Sequence, residues 1–259
     1  MDLGTVLGLL IAGGTILLGL FLEGGQIGQI LQPTAGLIVF GGTLGAILVQ
    51  FPFPVVLTAF KSVATIFFVP KSNPLTIIQE IVTIARKARR EGMVSLDNDL
   101  ENIQDPFLRR SLMLAVDGTE PDELRKIMEL ELEKQGEHED NVPKVFESAG
   151  GFSPTIGIIG AILGLIQVMQ HLDNITEVGR GIAVAFVATV YGVGAANLIL
   201  LPAAGKLKIR LDEEQIIHEM MLDGVISILE GMNPRMIELK LFSYLAEMPG
   251  QEKDKGVAA

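Results

Sequence analysis

Four long stretches of the chain contain no charged residue, and this limits the possible folds more than any other feature. They are Leu3 to Leu22, Gly24 to Phe60, Ser148 to Leu172 and Gly181 to Gly205. Each can hold a helix of about 20 residues, which is the length that crosses roughly 30 Å of hydrocarbon. A soluble chain with the same 49% of hydrophobic residues would scatter its charges. The sequence therefore predicts a membrane protein with four transmembrane helices.

The basic residues divide the polar regions into two kinds. Twelve of the Lys and Arg residues lie between Phe51 and Glu147, and seven lie between Pro202 and Ala259. A short link joins the two apolar stretches of each pair. The two links together contain a single basic residue, Arg180, at the end of the second link. Basic loops remain on the cytoplasmic side of a membrane. We therefore expect a multi-pass protein with both termini and the large middle region in the cytoplasm.

The polar regions carry the residues that typically begin and end helices. Proline follows a capping side chain at two predicted starts, and glycine stands at the corresponding ends. The predicted helices run from Asn73 to Gly92, from Asp105 to Gly118, from Glu120 to about Glu147 and from Lys206 to Glu230. The third of these leads into the third span, and the last continues the fourth span. Since no segment alternates like a strand, we predict an all-α membrane protein whose last two spans extend into the cytoplasm.

This pattern divides the chain into four segments. Residues 1–50 are predicted to hold transmembrane helices 1 and 2, 51–147 a cytoplasmic helical domain, 148–205 transmembrane helices 3 and 4, and 206–259 cytoplasmic C-terminal helices with a tail. Val55 to Phe68 is predicted to form an amphipathic helix at the membrane interface. The polar residues from Gln251 to Ala259 are predicted to be a disordered tail.

The composition argues against several kinds of site. The chain has no cysteine and only three histidines, so we expect neither a disulfide framework nor a Cys- or His-rich metal site. The four uncharged stretches also lack any carboxylate, although an ion relay through a bilayer normally uses a buried Asp or Glu. If this chain handles ions, a partner must bring the carboxylate. We expect no cofactor and no enzymatic activity.

Glycines recur at helical spacing in the spans. They are Gly157, Gly160 and Gly164 in the third span, Gly41 and Gly45 in the second, and Gly4 and Gly8 in the first. Such faces let helix backbones approach closely, which lipid alone does not drive. The spacing is compatible with a tight oligomer or a sleeve around another helix, and equally with packing among the chain's own four helices.

Four residues in the last two spans have both a structural and a functional interpretation. Thr155 and Thr189 are hydroxyls in apolar helices, where a threonine can simply bond its own helix or line an ion path. Pro154 and Pro202 lie near the cytoplasmic ends of the spans, where a proline can mark a helix boundary or form a hinge. The residues alone do not decide between these interpretations.

Charged residues flank the predicted turn at Gly92. The basic group precedes the turn and the acidic group follows it: Arg86, Lys87, Arg89 and Arg90, then Asp97, Asp99 and Glu101. Such a run is usually a solvated face, and the alternative is a docking surface. The nearby acids disfavour binding to anionic lipid.

Three segments together resemble the MotA family of flagellar stator subunits. They are GFSPTIGIIGAILGLI from Gly151 to Ile166, GIAVAFVATVYGVG from Gly181 to Gly194 followed by Leu201-Pro202, and RREGMVSLD from Arg89 to Asp97. Each segment alone is a weak signal, but their order and spacing fit the family. The resemblance covers nearly the whole chain apart from the C-terminal tail.

The resemblance implies an ion-conducting machine in the bacterial inner membrane. Five copies of such a subunit surround two copies of a MotB-type partner, whose single transmembrane helix carries the ion-binding Asp. The ion-path threonine of the family matches Thr189, and Thr155 and Ala161 are further candidates for that path. The two functional prolines match Pro154 and Pro202, which would couple ion flow to shape change. The expected partners are therefore other proteins and membrane lipid, and no nucleic acid is expected.

The resemblance also implies a contact with the rotor protein FliG. The family's charged residues for that contact match Arg89 and Asp97, although Glu is frequent at the second position and Asp97 has a shorter side chain. Under this interpretation Arg86, Lys87 and Arg90 remain a solvated face.

Two other functions compete with the stator. An ExbB/TolQ-type proton-driven energiser of an outer-membrane process would share the last two spans, but such proteins typically have three spans rather than four. A passive scaffold or a substrate transporter is the third possibility. A self-sufficient transporter should show polar or broken helices at mid-span, and the sequence offers no convincing case.

The residue at position 161 predicts which ion drives the motor. Sodium-driven members of the family tend to carry Thr where this chain has Ala161, and sodium needs several oxygen ligands. Thr189 and backbone carbonyls make a thin ligand set for sodium but suffice beside a carboxylate that carries a proton. We therefore expect cells that carry this stator to keep swimming when sodium is withdrawn at constant pH. Swimming that stops without sodium, and returns when sodium is restored, would contradict proton drive.

Overall fold

A computed structural model describes residues 2–66 and 73–245, and every element in these two ranges is helical. Four helices are long and apolar enough to cross a membrane: Leu3–Leu22, Pro33–Gln50, Pro121–Gln170 and Ile175–Leu229. The predicted all-α fold with four such helices is therefore confirmed. The end of the predicted interfacial helix, beyond Ile66, and the predicted C-terminal tail lie outside the described residues.

The chain forms two compact units. The first unit consists of Met1–Val69 and Asp140–Lys208, and the second consists of Pro70–Glu139 and Ile209–Ala259. Each unit thus combines two separate parts of the sequence.

The first unit contains the apolar parts of these four helices. Its elements are α1 (Leu3–Leu22), α2 (Ile27–Ile30), α3 (Pro33–Gly36), α4 (Gly42–Gln50), α5 (Phe53–Ile66), α9 (Asn141–Gln170), α10 (Ile175–Ala195) and the start of α11 (Leu201–Leu229). Two five-residue π-helices, Leu37–Gly41 and Ala196–Leu200, join α3 to α4 and α10 to α11 without a break. The second span starts at Pro33 and ends before Phe51-Pro52, as the prolines predict.

The second unit contains the polar helices and the rest of α11. Its other elements are α6 (Pro74–Glu91), a 3₁₀ helix (Met93–Asn102), α7 (Pro106–Val116), α8 (Pro121–Glu139) and α12 (Pro234–Leu245). Asn73 and Asp105 cap α6 and α7 through their side chains, and Gly92 and Gly118 have φ angles of 86° and 85°, which favour glycine. The predicted starts and ends of these two helices are confirmed.

The prediction that the charged helix from Glu120 leads into the third span is confirmed. Helix runs from Pro121 to Gln170 with a single turn residue, Asp140, whose backbone is also in the right-handed helical region. α9 then begins at Asn141, before the uncharged stretch. The prediction that the fourth span continues past Pro202 is confirmed, because helix is unbroken from Ile175 to Leu229.

A half-buried carboxylate fastens three helices of the second unit together. Asp223 on α11 accepts hydrogen bonds from Arg125 on α8 at 3.1 Å and from Lys240 and Tyr244 on α12 at 2.7 and 3.2 Å. Burial alone would raise the pKa of Asp223, but the hydrogen bonds from Lys240 and Arg125 outweigh it and lower that pKa. Burial and the Asp223 charge raise the pKa of Tyr244 to about 12. Around this cluster lies an apolar core that includes Ile81, Leu108 and Met128.

The glycine face of the third span lies against the fourth span of the same chain. A Cβ added to Gly157 would come within 2.9 Å of the Ala188 carbonyl oxygen, and one added to Gly164 within 2.7 Å of the Gly181 carbonyl oxygen. On α10, a Cβ added to Gly192 would come within 2.5 Å of the Ser153 carbonyl oxygen. For these glycines the structure decides in favour of packing within the chain.

The other glycine pairs show no such contact. A Cβ added to Gly8, Gly41 or Gly45 would meet no atom within 4 Å, so these faces are open in the single chain. No residue of α1 is buried, and α1 therefore presents almost its whole apolar surface to its surroundings. This exposure agrees with insertion among lipids or among other transmembrane helices.

The contrast between filled and open glycine positions yields a stability test. In Gly164→Ala the new methyl group would press on the Gly181 carbonyl and on the Ala185 nitrogen at 2.9 Å, and we expect a loss of about 1–3 kcal/mol, as overpacking usually costs. Gly45→Ala is the matched control, because its methyl group meets nothing and glycine is the poorer helix former. Circular-dichroism melting of the purified protein in detergent measures both. Equal melting temperatures for the two variants would contradict the close approach of α9 and α10.

Candidate functional site

The residues predicted to line an ion path lie on α9 and α10, the two helices that pack most closely. Thr189 is half-buried on α10, and its Cα lies 3.5 Å from a Cβ added to Gly157. Ala161 is half-buried one turn beyond Gly157 on the same helix, about 40° around the helix axis. Thr189 and Ala161 therefore both lie near the contact between the two helices.

Thr155 lies on a different side of α9. It is two residues before Gly157, so its side chain is about 200° around the helix from the face that meets α10. Its side chain is exposed, as are those of Ile158, Ile159 and Ile162 beyond it. The structure thus places two of the three predicted ion-path residues near the contact between α9 and α10 and the third away from it.

Both threonine hydroxyls bond to their own helices. Thr189 donates to the Ala185 carbonyl at 3.2 Å, and Thr155 donates to the Phe152 carbonyl at 2.8 Å. The proton of each hydroxyl is thus engaged, while the oxygen lone pairs are still able to accept a hydrogen bond or touch a cation. Each hydroxyl can therefore bond its own helix and still offer an oxygen to a proton path or a cation. Ala161 has no such oxygen.

Neither predicted coupling proline is a helix boundary. Pro154 lies inside α9, and Pro202 is the second residue of α11, in helix that continues on both sides. A proline lacks the N–H that would bond the carbonyl four residues earlier, so the carbonyls of Gly150 and Leu198 lose their usual partners. Neither proline therefore marks a helix boundary. Each one instead weakens the hydrogen bonding of the helix in which it lies.

Pro154 lies at the tightest part of the contact between α9 and α10. A Cβ on Gly192 would be 3.2 Å from the Pro154 Cα, so the two backbones touch there. The neighbouring Ser153 is buried, and its hydroxyl has no hydrogen-bond partner among the described residues. Bending of α9 at Pro154 would therefore act directly on α10.

The predicted rotor residues are both exposed. Arg89 is in the last turn of α6 and Asp97 is in the 3₁₀ helix, on either side of Gly92. No ion pair involves either side chain within residues 2–66 and 73–245. Val94, which lies between them in the sequence, is 76% exposed. Both charges are therefore available to a partner.

The interpretation of Lys87 as part of a solvated face was wrong. Its ammonium group lies 2.6 Å from the Asp99 carboxylate, and both side chains are partly buried. Lys87 points across the Gly92 turn because it is one turn before the helix end, and it joins the two sides of the turn. Arg86 and Arg90 are exposed, as predicted, although Arg90 approaches Glu91 at 3.9 Å.

Two features of the first unit were not predicted. The π-helix at Ala196–Leu200 has no clear sequence signal beyond Asn197 and the nearby Pro202. The Tyr191 hydroxyl bonds to the Ile30 carbonyl at 2.5 Å, a contact between residues 161 apart in the chain.

Among the described residues there is no cluster of three or more His, Asp or Glu side chains suited to a metal ion.

The fold and these residues define a membrane-embedded protein with four apolar helices and a separate polar helical unit. Residues 99–220 match the MotA/TolQ/ExbB proton channel family, and residues 6–92 match the N-terminal region of motility protein A. The chain therefore belongs to the MotA family and is a flagellar stator subunit.

Relatives of known name match almost end to end. Motility protein A of Bacillus subtilis is 36% identical and covers 95% of this chain and 91% of its own length. Chemotaxis protein PomA of Vibrio alginolyticus is 33% identical over 95% of this chain and 96% of its own. The structure of C. jejuni MotAB contains a chain that superimposes with a TM-score of 0.91 at 30% identity, covering 100% of this chain and 99% of that one. The flagellar MotAB stator complex from Bacillus subtilis gives 0.86 at 34% identity, with 93% and 94% covered.

The position of the two prolines generates a functional test. In Pro154→Ala and Pro202→Ala the restored N–H can bond the Gly150 or the Leu198 carbonyl, which stiffens the helix. We expect both variants to insert in the membrane normally and to swim slowly or not at all. Ser153→Ala is the matched control at the Pro154 site, because it removes a buried hydroxyl that has no partner. Normal swimming under load in both proline variants would return these residues to a purely structural role.

Proposed function

We propose that this chain conducts protons together with a MotB-type partner and converts their flow into torque on the flagellar rotor. The observation that carries the proposal is the lack of any Asp or Glu in the four uncharged stretches of a stator subunit. An ion crossing low-dielectric surroundings needs a countercharge. The two similar solved structures are of MotAB complexes, which supports a partner that supplies the carboxylate.

The partner and further copies of this chain cover the exposed apolar faces of α9 and α10. α9 exposes a run of large side chains and α10 exposes Phe186, at 71%, and Val190. Five copies form a ring, with the third and fourth spans towards a central pore that holds the transmembrane helices of two MotB-type subunits. The glycine face does not support this ring, because α10 of the same chain occupies it. The exposed faces of α9 and α10 support the ring instead.

The protein lies in the bacterial inner membrane with both termini in the cytoplasm. The distribution of Lys and Arg supports this orientation, since the regions 51–147 and 202–259 hold 19 of the 20 basic residues. The second unit is then the cytoplasmic part. Lipid surrounds α1 and the outer faces of the ring.

Protons pass the partner's carboxylate beside Thr189, near Ala161. One elementary charge that crosses 100 mV releases about 2.3 kcal/mol, so each proton supplies only about 3–5 kcal/mol at roughly 150–200 mV. Each step of the ring must therefore be small. The weakened helix at Pro154 and Pro202 permits a small bend without unfolding, and the bend passes from the membrane helices towards the rotor. Thr155, on the outer side of α9, faces a neighbouring subunit or the partner rather than Thr189.

Arg89 and Asp97 transmit the torque to FliG. Both are exposed and neither is used in an ion pair within the described part of the chain. An exposed ion pair contributes about 0–1 kcal/mol to a fold, so such residues can be kept for a partner at little cost in stability.

The ExbB/TolQ-type energiser is the less well supported alternative. Its name is part of the family that matches residues 99–220, but the match to the motility protein A N-terminal region over residues 6–92 favours the stator. The presence of four apolar helices rather than three favours it as well.

Charge reversal tests the rotor contact. We expect Arg89→Glu and Asp97→Lys each to impair swimming, because the rotor surface then meets the wrong charge. Arg109→Glu on α7 and Asp117→Lys at its C-cap are matched controls, since both positions are exposed and neither belongs to the proposed contact. A compensating reversal on the rotor should restore motion in part.

The same variants must still assemble. We expect the wild type and the Arg89 and Asp97 variants to give the same native mass in mild detergent with lipid, corresponding to a pentamer with its partner. Loss of folded protein in these variants, or normal swimming, would contradict the torque role. A native mass of one protomer for the wild type would contradict the ring.

A further inference from the structure

The helix between Tyr191 and Lys206 is locally irregular at three points. The backbone from Ala196 to Leu200 is π-helical, and the Leu201 N–H bonds the Ala196 carbonyl five residues earlier. The Asn197 side chain donates to the Val193 carbonyl at 2.9 Å. Pro202 then removes a further backbone donor. A helix bends most easily where its regular hydrogen-bond ladder is interrupted in these ways.

The start of this segment is fixed to the second span by Tyr191. The Tyr191 hydroxyl donates to the Ile30 carbonyl at 2.5 Å and accepts from the Gln32 N–H at 3.3 Å. These backbone groups lie where α2 ends and α3 begins, so no regular helix satisfies them. The Tyr191 ring also stacks on Phe40, with 5.9 Å between the ring centres. In apolar surroundings an unpaired backbone group is costly, which makes this attachment specific.

The end of the segment is fixed to the first span by Lys206. Its ammonium group pairs with the Asp2 carboxylate and donates to the Thr5 hydroxyl. Asp2 in turn caps α1 by accepting from the Thr5 N–H at 3.2 Å. No residue of α1 is buried, so apolar packing within the chain attaches this helix only weakly. The polar contact at Lys206 therefore has particular weight for the position of α1.

We propose that Tyr191 and Lys206 are positioning residues that hold both ends of this irregular segment against the first two spans. The inference rests on the proposed coupling role of Pro202. With both ends held, bending is confined to the turns around Pro202 and produces a defined displacement. If either end is released, the same ion-driven bend is spread over a longer stretch of helix and delivers less torque.

The two attachments can be removed with little other change. Tyr191→Phe deletes the hydroxyl and retains the ring that stacks on Phe40. Lys206→Met deletes the charge and retains most of the side-chain length. Thr15→Val is the control for a lost hydroxyl in a span, since Thr15 bonds only its own helix in the described contacts. Lys208→Met is the control for a lost charge, because Lys208 is exposed two residues further on.

The measurement is the torque added by each stator that joins a single motor, read as the height of the successive speed steps of a bead on a tethered filament. A merely structural role would reduce the number of steps without changing their height. We expect both variants to lower the step height at least about twofold, the lower end of the effect that coupling mutations usually have. The controls should leave the height unchanged. The double variant Asp2→Asn with Lys206→Met should lower the height no further than Lys206→Met alone, because Asn retains the cap of α1 and the ion pair is already lost.

Three outcomes overturn the inference. Unchanged step height in Tyr191→Phe and Lys206→Met would show that the attachments do not act on torque. A further loss of step height in the Asp2→Asn, Lys206→Met double variant, with normal assembly, would show that Lys206 does not act through its contact with Asp2. Pro202→Ala in the same assay separates this inference from the proposed function. If Pro202→Ala lowers the step height and the two attachments do not, the inference alone fails; if Pro202→Ala has no effect, the coupling role of Pro202 fails with it.

Discussion

The direct contact between the backbones of α9 and α10 is the constraint on which the rest of the first unit depends. Lipid offers no hydrophobic gain for pressing two apolar helices together, so close packing of their atoms must provide the attraction. Gly157, Gly164 and Gly192 make this possible, because each has a backbone atom of the other helix where a Cβ would stand. The contact also orients the two helices, with Thr189 beside α9 and with the large side chains of both helices turned outwards.

Because of that orientation, the pair of α9 and α10 is tightly packed where the two helices meet and uncovered on its other faces. The glycine-lined contact leaves no space for a partner, and the opposite faces carry exposed isoleucine, leucine and phenylalanine side chains that the chain itself cannot cover. A subunit of the proposed ring needs both properties, since a force applied at one end of a helix pair reaches the other end only if the pair moves as one body. The second unit is held together by other means, with an apolar core and with Asp223 at the junction of three helices.

Most of the architecture could be predicted from the sequence because it follows from local rules. The lack of charge fixed the four spans, and Asn73, Asp105, Gly92 and Gly118 marked helix ends because each satisfies a purely local backbone requirement. The use of the glycine face could not be predicted, since a spacing of three or four residues is the same whether the partner is the same chain or another. The charges on either side of Gly92 placed a basic group opposite an acidic one, but they did not single out the pair of Lys87 with Asp99. The contact of Tyr191 with Ile30 depends on tertiary packing, and the residues around it carry no local signal. Which candidate site residues share a face could be predicted only in part, since helix spacing separates Thr155 from Gly157 but says nothing of the approach of Thr189.

The π-helix at Ala196–Leu200 has a geometric consequence for everything that follows it in the first unit. A π-turn holds one residue more than an α-turn, and each residue of an α-helix advances the side-chain direction by about 100°. Lys206 can reach Asp2 because the extra residue has already shifted the phase of the helix after Thr189. If the same five residues of Ala196–Leu200 formed a regular α-helix, every later side chain would be turned by about 100°, away from its present neighbours. If one residue were deleted at the same time, the later side chains would keep nearly their present directions. The angular setting between Thr189 and the base of α1 thus depends on the π-helical turn between them and on the number of residues that it holds, rather than on the identity of any one residue.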